Sequence, residues 1–270
     1  MFKVEAILGK GAFGEVYLAT LKKNNMKYAM KVLNKWEIMK QNIMKYAQTE
    51  RNVLCSIKHP FIVGLNYAFQ TSEKLYLILD YCPGGNLGEL LDEKNNFDEM
   101  HGKYYAAEIL LALEELHKWD IIYRDLKPDN IVIDEDGHVR LTDFGLSKED
   151  VTDNISAMSF CGSIAYLAPE MIRWKGHGKA VDWYLLGVLI YEMLTGIPPF
   201  YSKNRKNMIQ NIMYSAIKIP TYLSKEAQDV LLLLLNKDPN DRLGSGDLDA
   251  REIKNHPWFS DIDWDEAFNR

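Results

Sequence analysis

A short stretch in the middle of the chain contains the functional groups that phosphoryl transfer requires. Asp125 can act as a base that aligns an attacking hydroxyl, and Lys127 can neutralise charge on the transferred phosphate. Asn130 and Asp143 offer hard oxygen ligands for Mg²⁺, which completes its shell with phosphate oxygens and water. Turns also favour Asp, Asn and Pro, but a turn gives no reason for Lys127 in this order. The spacing therefore predicts a catalytic loop and a metal-binding loop.

A glycine-rich segment near the N-terminus predicts a second part of a phosphate site. Gly9, Gly11 and Gly14 follow the spacing G-x-G-x-x-G, and glycine lets backbone N–H groups approach phosphate closely. A dinucleotide-binding fold would begin a helix at the third glycine, whereas a strand-like run from Val16 follows here. The segment also lacks the G-K-[S/T] of a Walker loop. By itself the pattern is a weak signal, because a hairpin turn that binds nothing would also fit it.

Two charged residues after this segment favour the phosphate-binding interpretation. Lys31 lies on the next predicted strand, from which its ammonium group can reach phosphate oxygens under the glycine-rich turn. Glu50 lies on the neighbouring predicted helix, and we expect it to pair with Lys31 and orient it. Glu37, near the helix start, is the rival partner. The alternatives are a solvated strand lysine and a solvated helix carboxylate.

The elements that must position these groups divide the chain into two lobes. Residues 1–79 are predicted as a small antiparallel sheet with one helix, residues 80–86 as a hinge, and residues 87–270 as a larger, mostly helical lobe. The fold class is therefore α+β, with a ligand cleft between the lobes. Periodicity predicts strands at 4–8, 15–20, 27–33, 61–70, 74–81, 121–123, 131–133 and 139–142, and helices at 36–57, 100–119, 180–195, 203–214 and 225–236.

Composition and charge exclude several classes of protein. The 270 residues are 47% hydrophobic and 26% charged, which is typical of a globular chain with a large core. A net charge of −6 predicts no nucleic-acid partner. Cys55, Cys82 and Cys161 are too few and too scattered for a disulfide framework or a zinc site, which favours a reduced, intracellular and cytoplasmic location. The longest apolar run, at 180–196, contains two acidic residues and predicts a buried helix rather than a membrane span.

The catalytic stretch and several downstream motifs resemble the catalytic domain of eukaryotic-type serine/threonine protein kinases. The string Tyr123-Arg124-Asp125-Leu126-Lys127-Pro128-Asp129-Asn130, followed by Asp143-Phe144-Gly145, resembles the catalytic and metal loops of that family. Lys127-Pro128 is similar to the serine/threonine members. Tyrosine before Arg124 is typical of the AGC group, which includes protein kinases A, B and C and the ribosomal protein S6 kinases. Ala168-Pro169-Glu170 resembles the end of an activation segment, with Arg242 as the expected partner of Glu170.

This resemblance covers residues 2–259 and implies a bilobal protein-kinase fold that uses ATP and Mg²⁺. It assigns Lys31, Glu50, Asp125 and Lys127 to catalysis, and Asn130 and Asp143 to the metal. The residues that it assigns to nucleotide binding are Leu8, Gly9, Lys10, Gly11, Ala12, Phe13, Gly14, Val16, Ala29, Lys31, Leu79, Asp80, Cys82, Asn130 and Asp143.

The resemblance also implies protein or peptide substrates with Ser or Thr acceptors and a monomeric catalytic domain. Asp129, Glu192 and Ser163 stand at substrate-binding positions, and the two carboxylates favour basic residues upstream of the target. Ser159 stands at the activating phosphosite, which implies an upstream activating kinase. Ser156 is a rival site, as is Thr152.

Some positions depart from the family pattern. Asn86 replaces a glutamate that in AGC kinases helps to read an arginine upstream of the target, and Ile164-Ala165 replaces a proline-glutamate pair. The chain ends at Arg270, before the tail that AGC kinases fold over the small lobe, so it is expected either to be part of a longer protein or to rely on another chain.

A nucleotide-binding scaffold and a small-molecule phosphotransferase of the same fold are the competing interpretations. The complete set of catalytic residues disfavours the scaffold, and the Ala168-Pro169-Glu170 segment favours peptide over small-molecule substrates.

Overall fold

The computed structural model describes residues 1–11, 14–40, 44–149, 163–173 and 176–270, without the side chains of residues 11, 45 and 46. In these residues an antiparallel sheet precedes a lobe built mainly from helices, and the predicted α+β fold is confirmed. Ala12, Phe13 and Ser159, which carry predicted functions, lie outside the described residues.

The described strands of the first lobe form a five-stranded sheet in the order β1-β2-β3-β5-β4. They are β1 (Phe2–Gly11), β2 (Gly14–Leu21), β3 (Lys27–Asn34), β4 (Leu65–Gln70) and β5 (Lys74–Asp80). Valine and tyrosine side chains along β2 and β3 suit a pleated, half-buried surface. In the pairing register Val16 faces Lys31, and Lys31 faces Leu77 on the other side. The central strand thus carries Lys31 directly beside the strand that leaves the glycine-rich turn.

Two helices follow β3, namely α1 (Lys35–Lys40) and α2 (Met44–Ser56). Buried side chains on α2 include Glu50, Val53 and Leu54, whose spacing of three and four residues defines one face of the helix. The helix packs against the segment Phe144–Leu146 from the other lobe. Glu50 is therefore on the face that looks toward the predicted metal loop.

The second lobe is arranged around one helix that is buried along almost its whole length. This helix, α6 (Ala180–Thr195), packs against α4 and α8 and ends at Gly196, whose φ of 82° suits glycine. The other helices of the described lobe are α3 (Leu87–Lys94), α4 (Glu99–Lys118), α5 (Pro169–Arg173), α7 (Arg205–Tyr214), α8 (Lys225–Leu234), α9 (Ala250–Lys254) and α10 (Trp264–Asn269).

A two-stranded sheet brings the catalytic and metal loops together. Its strands are β6 (Ile131–Ile133) and β7 (Val139–Leu141), which pair in antiparallel register from Ile131 opposite Leu141 to Ile133 opposite Val139. Asn130 immediately precedes β6 and Asp143 follows β7 by two residues. Because the hairpin folds back on itself, residues 13 positions apart in sequence reach the same end of the sheet.

Several predicted element boundaries are wrong. Residues 121–123 form no strand: Ile122 makes one isolated bridge to Lys148, and the following backbone N–H groups bond to a side chain instead. The predicted helix 36–57 divides into α1 and α2, and β4 begins at Leu65 rather than at 61. The short helices α3, α5, α9 and α10 were not predicted, because caps and tertiary packing support them more than a long apolar period does. None of the helices in the described parts of the chain is long and apolar enough to cross a membrane.

Candidate active site

The sheet and the helical lobe enclose a cavity of about 970 Å³, a volume typical of small-molecule sites. Its walls come from the strands next to the glycine-rich turn, the hinge after β5, and the loops on either side of β6 and β7. The predicted site residues that line it are Leu8, Gly9, Lys10, Gly14, Val16, Ala29, Lys31, Leu79, Asp80, Cys82, Asp125, Lys127, Asp129, Asn130, Asp143 and Ser163.

Lys31 joins the two lobes through a pair of carboxylates. Its Nζ atom lies 2.5 Å from Glu50 Oε1 and 3.2 Å from Asp143 Oδ1. Burial by itself lowers the pKa of Lys31, but Glu50 and Asp143 outweigh that effect and raise the pKa above its usual range. The ammonium group therefore stays charged while its carbon stem is buried. The rival partner, Glu37, makes no ion pair with Lys31 in the described structure.

Asp125 is a buried carboxylate with two donors on one of its oxygens. Lys127 Nζ donates to Asp125 Oδ2 at 3.1 Å, and Asn130 Nδ2 donates to the same oxygen at 2.7 Å and to the Asp125 carbonyl at 2.9 Å. Burial raises the pKa of Asp125, while Lys127 and Asn130 oppose that rise. Both donors use Oδ2, and among the described residues no hydrogen-bond donor contacts Oδ1, which is left as an acceptor at the cavity.

The catalytic loop is held in place by Asp182 at the start of α6. Its Oδ2 and Oδ1 atoms accept the backbone N–H groups of Tyr123 and Arg124, each at 2.8 Å. Arg124 has a φ of 68°, a left-handed conformation that non-glycine residues seldom adopt. Two charge-assisted hydrogen bonds at this point offset the strain of that conformation.

Behind Asp182 lies a buried histidine that contacts a second carboxylate. His117 places Nε2 3.0 Å from Asp182 Oδ2 and Nδ1 3.0 Å from Asp249 Oδ2, and Trp183 donates its indole N–H to Asp249 Oδ1 at 2.8 Å. Burial alone lowers the pKa of His117, but the two carboxylates raise it to about 9. The imidazole is therefore a buried cation at neutral pH, with an acceptor on each nitrogen.

The metal loop is fixed by backbone conformation and by an aromatic contact. Asp143 has a φ of 58° and a ψ of 75°, in the left-handed region. The Tyr123 hydroxyl donates to the Thr142 carbonyl at 2.5 Å, and its ring meets the buried Phe144 ring edge to face at 5.4 Å. Burial tends to raise the pKa of Asp143, but Lys31 and the Gly145 N–H lower it below the usual value. The carboxylate is thus held ionised at the cavity surface.

The donor set fits magnesium bound together with a phosphate chain. Asn130 uses Nδ2 as a donor, which leaves its oxygen for a metal, and Lys31 contacts only Oδ1 of Asp143. Two protein oxygens suit Mg²⁺, which takes its remaining ligands from phosphate and water. No group of three or more His, Cys, Asp or Glu side chains in the described residues could hold a metal by itself.

Of the three positions predicted to contact substrate, Asp129 and Ser163 line the cavity, and Glu192 is not among its described lining residues. Asp129 is exposed, whereas Glu192 is partly buried. Burial raises the pKa of Glu192 to about 7, with smaller contributions from the charges of Asp129 and Asp92. The Glu192 Oε2 atom is buried and has no hydrogen-bond partner in the described residues. Ser163 lines the cavity, but among the described side chains Asp125 is contacted by Lys127 and Asn130 and not by this hydroxyl.

The hinge and the end of the activation segment have supports of their own. The Asp80 N–H donates to the Gly64 carbonyl at 3.0 Å, and burial raises the pKa of Cys82 to about 11. The predicted pair of Glu170 and Arg242 forms as a buried, two-pronged ion pair, with N–O distances of 2.6 and 3.0 Å. It fixes α5 against the start of α6, where Arg242 also donates to the Ala180 carbonyl.

Comparison with known proteins now identifies the family. The model of the protein kinase domain matches residues 2–259. The chain belongs to the protein kinase family. It is 48% identical to Protein kinase 2 of Dictyostelium discoideum over 98% of the chain and 55% of the relative. It is 49% identical to the serine/threonine-protein kinase AtPK1/AtPK6 of Arabidopsis thaliana over 97% and 56%.

The relatives confirm the resemblance to AGC-type serine/threonine kinases. The human ribosomal protein S6 kinase alpha-3 is 46% identical over 100% of the chain and 37% of its own length. The chain spans about half the length of the Dictyostelium and Arabidopsis relatives. The present chain is thus a serine/threonine protein kinase domain.

Sequence reasoning missed some residues that build this kinase site. The roles of His117 and Asp249 depend on contacts between residues 132 positions apart, and no motif signals such a pair. Glu89 also lines the cavity. The sequence does contain a signal for Glu89. Asn86 is followed three residues later by this glutamate and then by an apolar run, which is the pattern of a capping box.

Proposed function

We propose that this kinase domain transfers the γ-phosphoryl group of ATP to serine and threonine hydroxyls of protein substrates. The observation that carries the proposal is that Lys31 and Asp125 line one cavity. Lys31 is paired with Glu50 and Asp143, and Asp125 is paired with Lys127 and Asn130. Phosphoryl transfer needs a cation that binds phosphate, oxygen ligands that bind a metal ion, and a general base.

In this mechanism Asp125 Oδ1 accepts a hydrogen bond from the acceptor hydroxyl and aligns its oxygen in line with the γ-phosphorus. As the new O–P bond forms, the bond to the β,γ-bridging oxygen breaks, ADP leaves, and the hydroxyl proton passes to Asp125. Lys127 neutralises charge on the transferring group, and Lys31, oriented by Glu50, holds the phosphates of the nucleotide. Mg²⁺ held by Asn130 and Asp143 would neutralise charge between the β- and γ-phosphates.

The acidic side of the cleft supports a preference for basic residues upstream of the target. Among the described residues, neither Asp129 nor Glu192 forms an ion pair, and the pKa of Glu192 is raised to about 7 by burial, Asp129 and Asp92. Like charges at close range destabilise each other, so a cationic side chain between them would be stabilised. The proposal also includes activation by phosphorylation of Ser159 by another kinase and a monomeric catalytic domain, both on the strength of the family resemblance. Mass spectrometry of the active protein tests the phosphosite.

The test is phosphate transfer from Mg-ATP to a positional-scanning library of serine and threonine peptides. Asp125→Asn is expected to lower kcat by about 10²- to 10⁴-fold, because it removes the proton acceptor. Asp143→Ala is expected to abolish measurable transfer. Asp136→Asn, on the exposed turn between β6 and β7, is the control that should keep full activity. Absence of transfer by the Ser159-phosphorylated protein would contradict the proposal and favour a nucleotide-binding scaffold.

A further inference from the structure

The segment that follows α6 carries cations without any carboxylate. No Asp or Glu occurs in residues 193–225, although the chain has 38 acidic residues in 270, about one in seven. We call residues 193–225 the acid-free segment. It contains five cations, all of them exposed, namely Lys203, Arg205, Lys206, Lys218 and Lys225. In a chain with a net charge of −6, positive charge is therefore concentrated in one segment.

Contacts within the second lobe hold the acid-free segment together. The Tyr222 hydroxyl donates to the Leu194 carbonyl at 3.2 Å, so the two ends of the segment lie side by side. Lys237 joins parts of its middle, because Nζ donates to the Asn211 carbonyl at 3.1 Å and lies 4.1 Å from the centre of the Phe200 ring. The segment therefore folds back on itself and forms one compact part of the lobe.

The fold gives the charges of this segment no partner. None of its five cations forms an ion pair with a residue that the structure describes. Lys203, Arg205 and Lys206 lie around the start of α7, whose first turn has no acidic residue. Cations at that end of a helix interact unfavourably with the helix dipole. These charges therefore stabilise neither the helix nor its packing, which favours a role in binding.

Exposed aromatic side chains accompany the cations. Tyr201, Tyr214 and Tyr222 are 52%, 78% and 69% exposed, and all three belong to the acid-free segment. Tyrosine is enriched in protein interfaces, where its ring buries apolar area while its hydroxyl keeps a polar contact. A surface of cations and tyrosines without carboxylates fits an acidic segment of another protein. Carboxylates of that partner would pair with the cations, and its apolar side chains would cover the rings.

We propose that the acid-free segment is a docking surface for an acidic segment of protein substrates, one with apolar or aromatic side chains between its carboxylates. The inference rests on the proposed function, because it takes protein substrates to bind in the cleft. The helix α7 packs against the turn Ile164–Tyr166, which directly follows Ser163 at the cavity. A protein bound at the cavity can therefore reach the docking surface with a second segment. The net charge of −6 disfavours a nucleic acid, which the rest of the chain would repel.

Direct binding is tested with a random copolymer of glutamate and tyrosine, which has carboxylates and aromatic rings but no serine or threonine acceptor. The test variant combines Lys203→Glu, Arg205→Glu and Lys206→Glu. We expect it to bind the copolymer about tenfold more weakly than the wild type, because attractive charge contacts become repulsive.

The control variant combines Lys22→Glu, Lys23→Glu and Lys27→Glu. These lysines are also exposed, and they lie around the turn between β2 and β3 in the other lobe. The control changes the net charge by the same amount as the test variant. It should keep the wild-type affinity for the copolymer, because the acid-free segment is unaltered.

Kinetics then connect the surface to substrates. A serine peptide selected from the positional-scanning library is compared with the same peptide joined by a flexible linker to an acidic tail that contains tyrosines. The tail is placed at either end in separate peptides. In the wild type one of these tails is expected to lower KM about tenfold with kcat unchanged, because the two contacts reinforce each other. The test variant should phosphorylate tailed and untailed peptides with the same KM.

Three results would overturn the inference while leaving the proposed function intact. The first is equal weakening of copolymer binding in the test and control variants, which would mean that only net charge matters. The second is an unchanged KM for both tailed peptides in the wild type. The third is tighter binding of single-stranded DNA than of the copolymer, lost in the test variant, which would assign the surface to nucleic acid. Absence of transfer to the untailed peptide would instead contradict the proposed function, and copolymer binding is measured independently of transfer.

Discussion

At the scale of single residues, the catalytic loop depends on side chains that never touch a substrate. Asp182 holds two consecutive backbone N–H groups just before Asp125, and His117 holds Asp182 from behind. These three contacts hold the Asp182 carboxylate in position. The position of Asp125, the proposed base, therefore depends on the charge of His117 on α4.

This dependence predicts a pH effect on stability. The folded-state pKa of His117 is raised from the ordinary 6.5 to about 9, so its stabilising contribution is full below pH 6.5 and is lost as pH rises through about 9. His117→Gln should remove a few kcal/mol, on the order of 3, from the free energy of unfolding at pH 6, and much less at pH 9.5. Chemical denaturation at both pH values measures the difference between wild type and variant.

The matched control is His256→Gln, because His256 is also buried but contacts Asp229 and the Trp258 N–H, away from the catalytic loop. His256→Gln should lower stability without changing kcat, whereas His117→Gln should also lower kcat. A difference between wild type and His117→Gln that is constant from pH 6 to 9.5 would refute the charged state of His117.

At the scale of elements, α6 and α8 approach so closely that only glycine fits at one position. A Cβ atom on Gly187 would lie 2.8 Å from the Leu234 Cβ atom and 3.1 Å from Leu235 Cγ. These atoms are near the backbone of α8 or at a branch point, so they cannot move aside by simple rotation. The absence of a side chain at Gly187 thus allows α6, the central helix of the lobe, to pack closely against α8.

Gly187→Ala is therefore expected to be destabilising in spite of the helix propensity of alanine. Propensity favours the change by about 1 kcal/mol, and the overlap with α8 costs about 1–3 kcal/mol, so we expect a net loss near 1 kcal/mol. Urea denaturation measures it. Gly102→Ala is the control, because the atom nearest to its Cβ would be the Leu194 Cδ2 methyl at 2.8 Å, which lies at the far end of a side chain and not beside a backbone. Equal stability changes in the two variants would show that the packing argument is wrong.

At the scale of the whole molecule, an ion pair at the hinge connects the two lobes. Asp80 accepts the Gly64 N–H at 2.9 Å and the Asn66 amide at 2.8 Å on the small-lobe side, and Arg140 of β7 donates to it at 3.1 Å. Arg140 also reaches Asp134 at 3.2 Å. The orientation of the lobes is thereby tied to the same hairpin that carries Asn130 and Asp143.

Arg140→Met should loosen the hinge without unfolding the domain. The pair is partly exposed, with side-chain exposures of 19% and 35%, so its loss should cost less than about 1 kcal/mol of global stability. Hydrogen exchange at the Gly64 and Asp80 amides should accelerate several-fold, since local opening becomes easier. Arg251→Met, on the exposed side of α9, should leave these amides unchanged. Unaltered exchange in Arg140→Met would mean that the pair does not restrain the hinge.

The sequence was sufficient to predict the α+β architecture. It was insufficient where a side chain that is distant in sequence forms hydrogen bonds with backbone N–H groups. The helix at 180–195 was predicted at its observed bounds because its apolar run is long and contains only two acidic residues. Residues 121–123 look like a strand, yet Asp182, nearly 60 positions later, takes the N–H of Tyr123. The pairing of His117 with Asp249 follows from the folded arrangement of α4, α6 and α9 and has no local signal.

The left-handed conformation of Asp143 also limits how this site can change over evolution. Besides glycine, asparagine and aspartate are the residues that adopt that conformation routinely, and β-branched residues are excluded. A single substitution to asparagine would keep the backbone and the volume while removing the charge that pairs with Lys31 and that the proposed magnesium site needs. The simplest way for such a domain to lose catalysis is therefore one that keeps the fold and the nucleotide-sized cavity. Inactive descendants should arise by loss of charge and not by loss of structure.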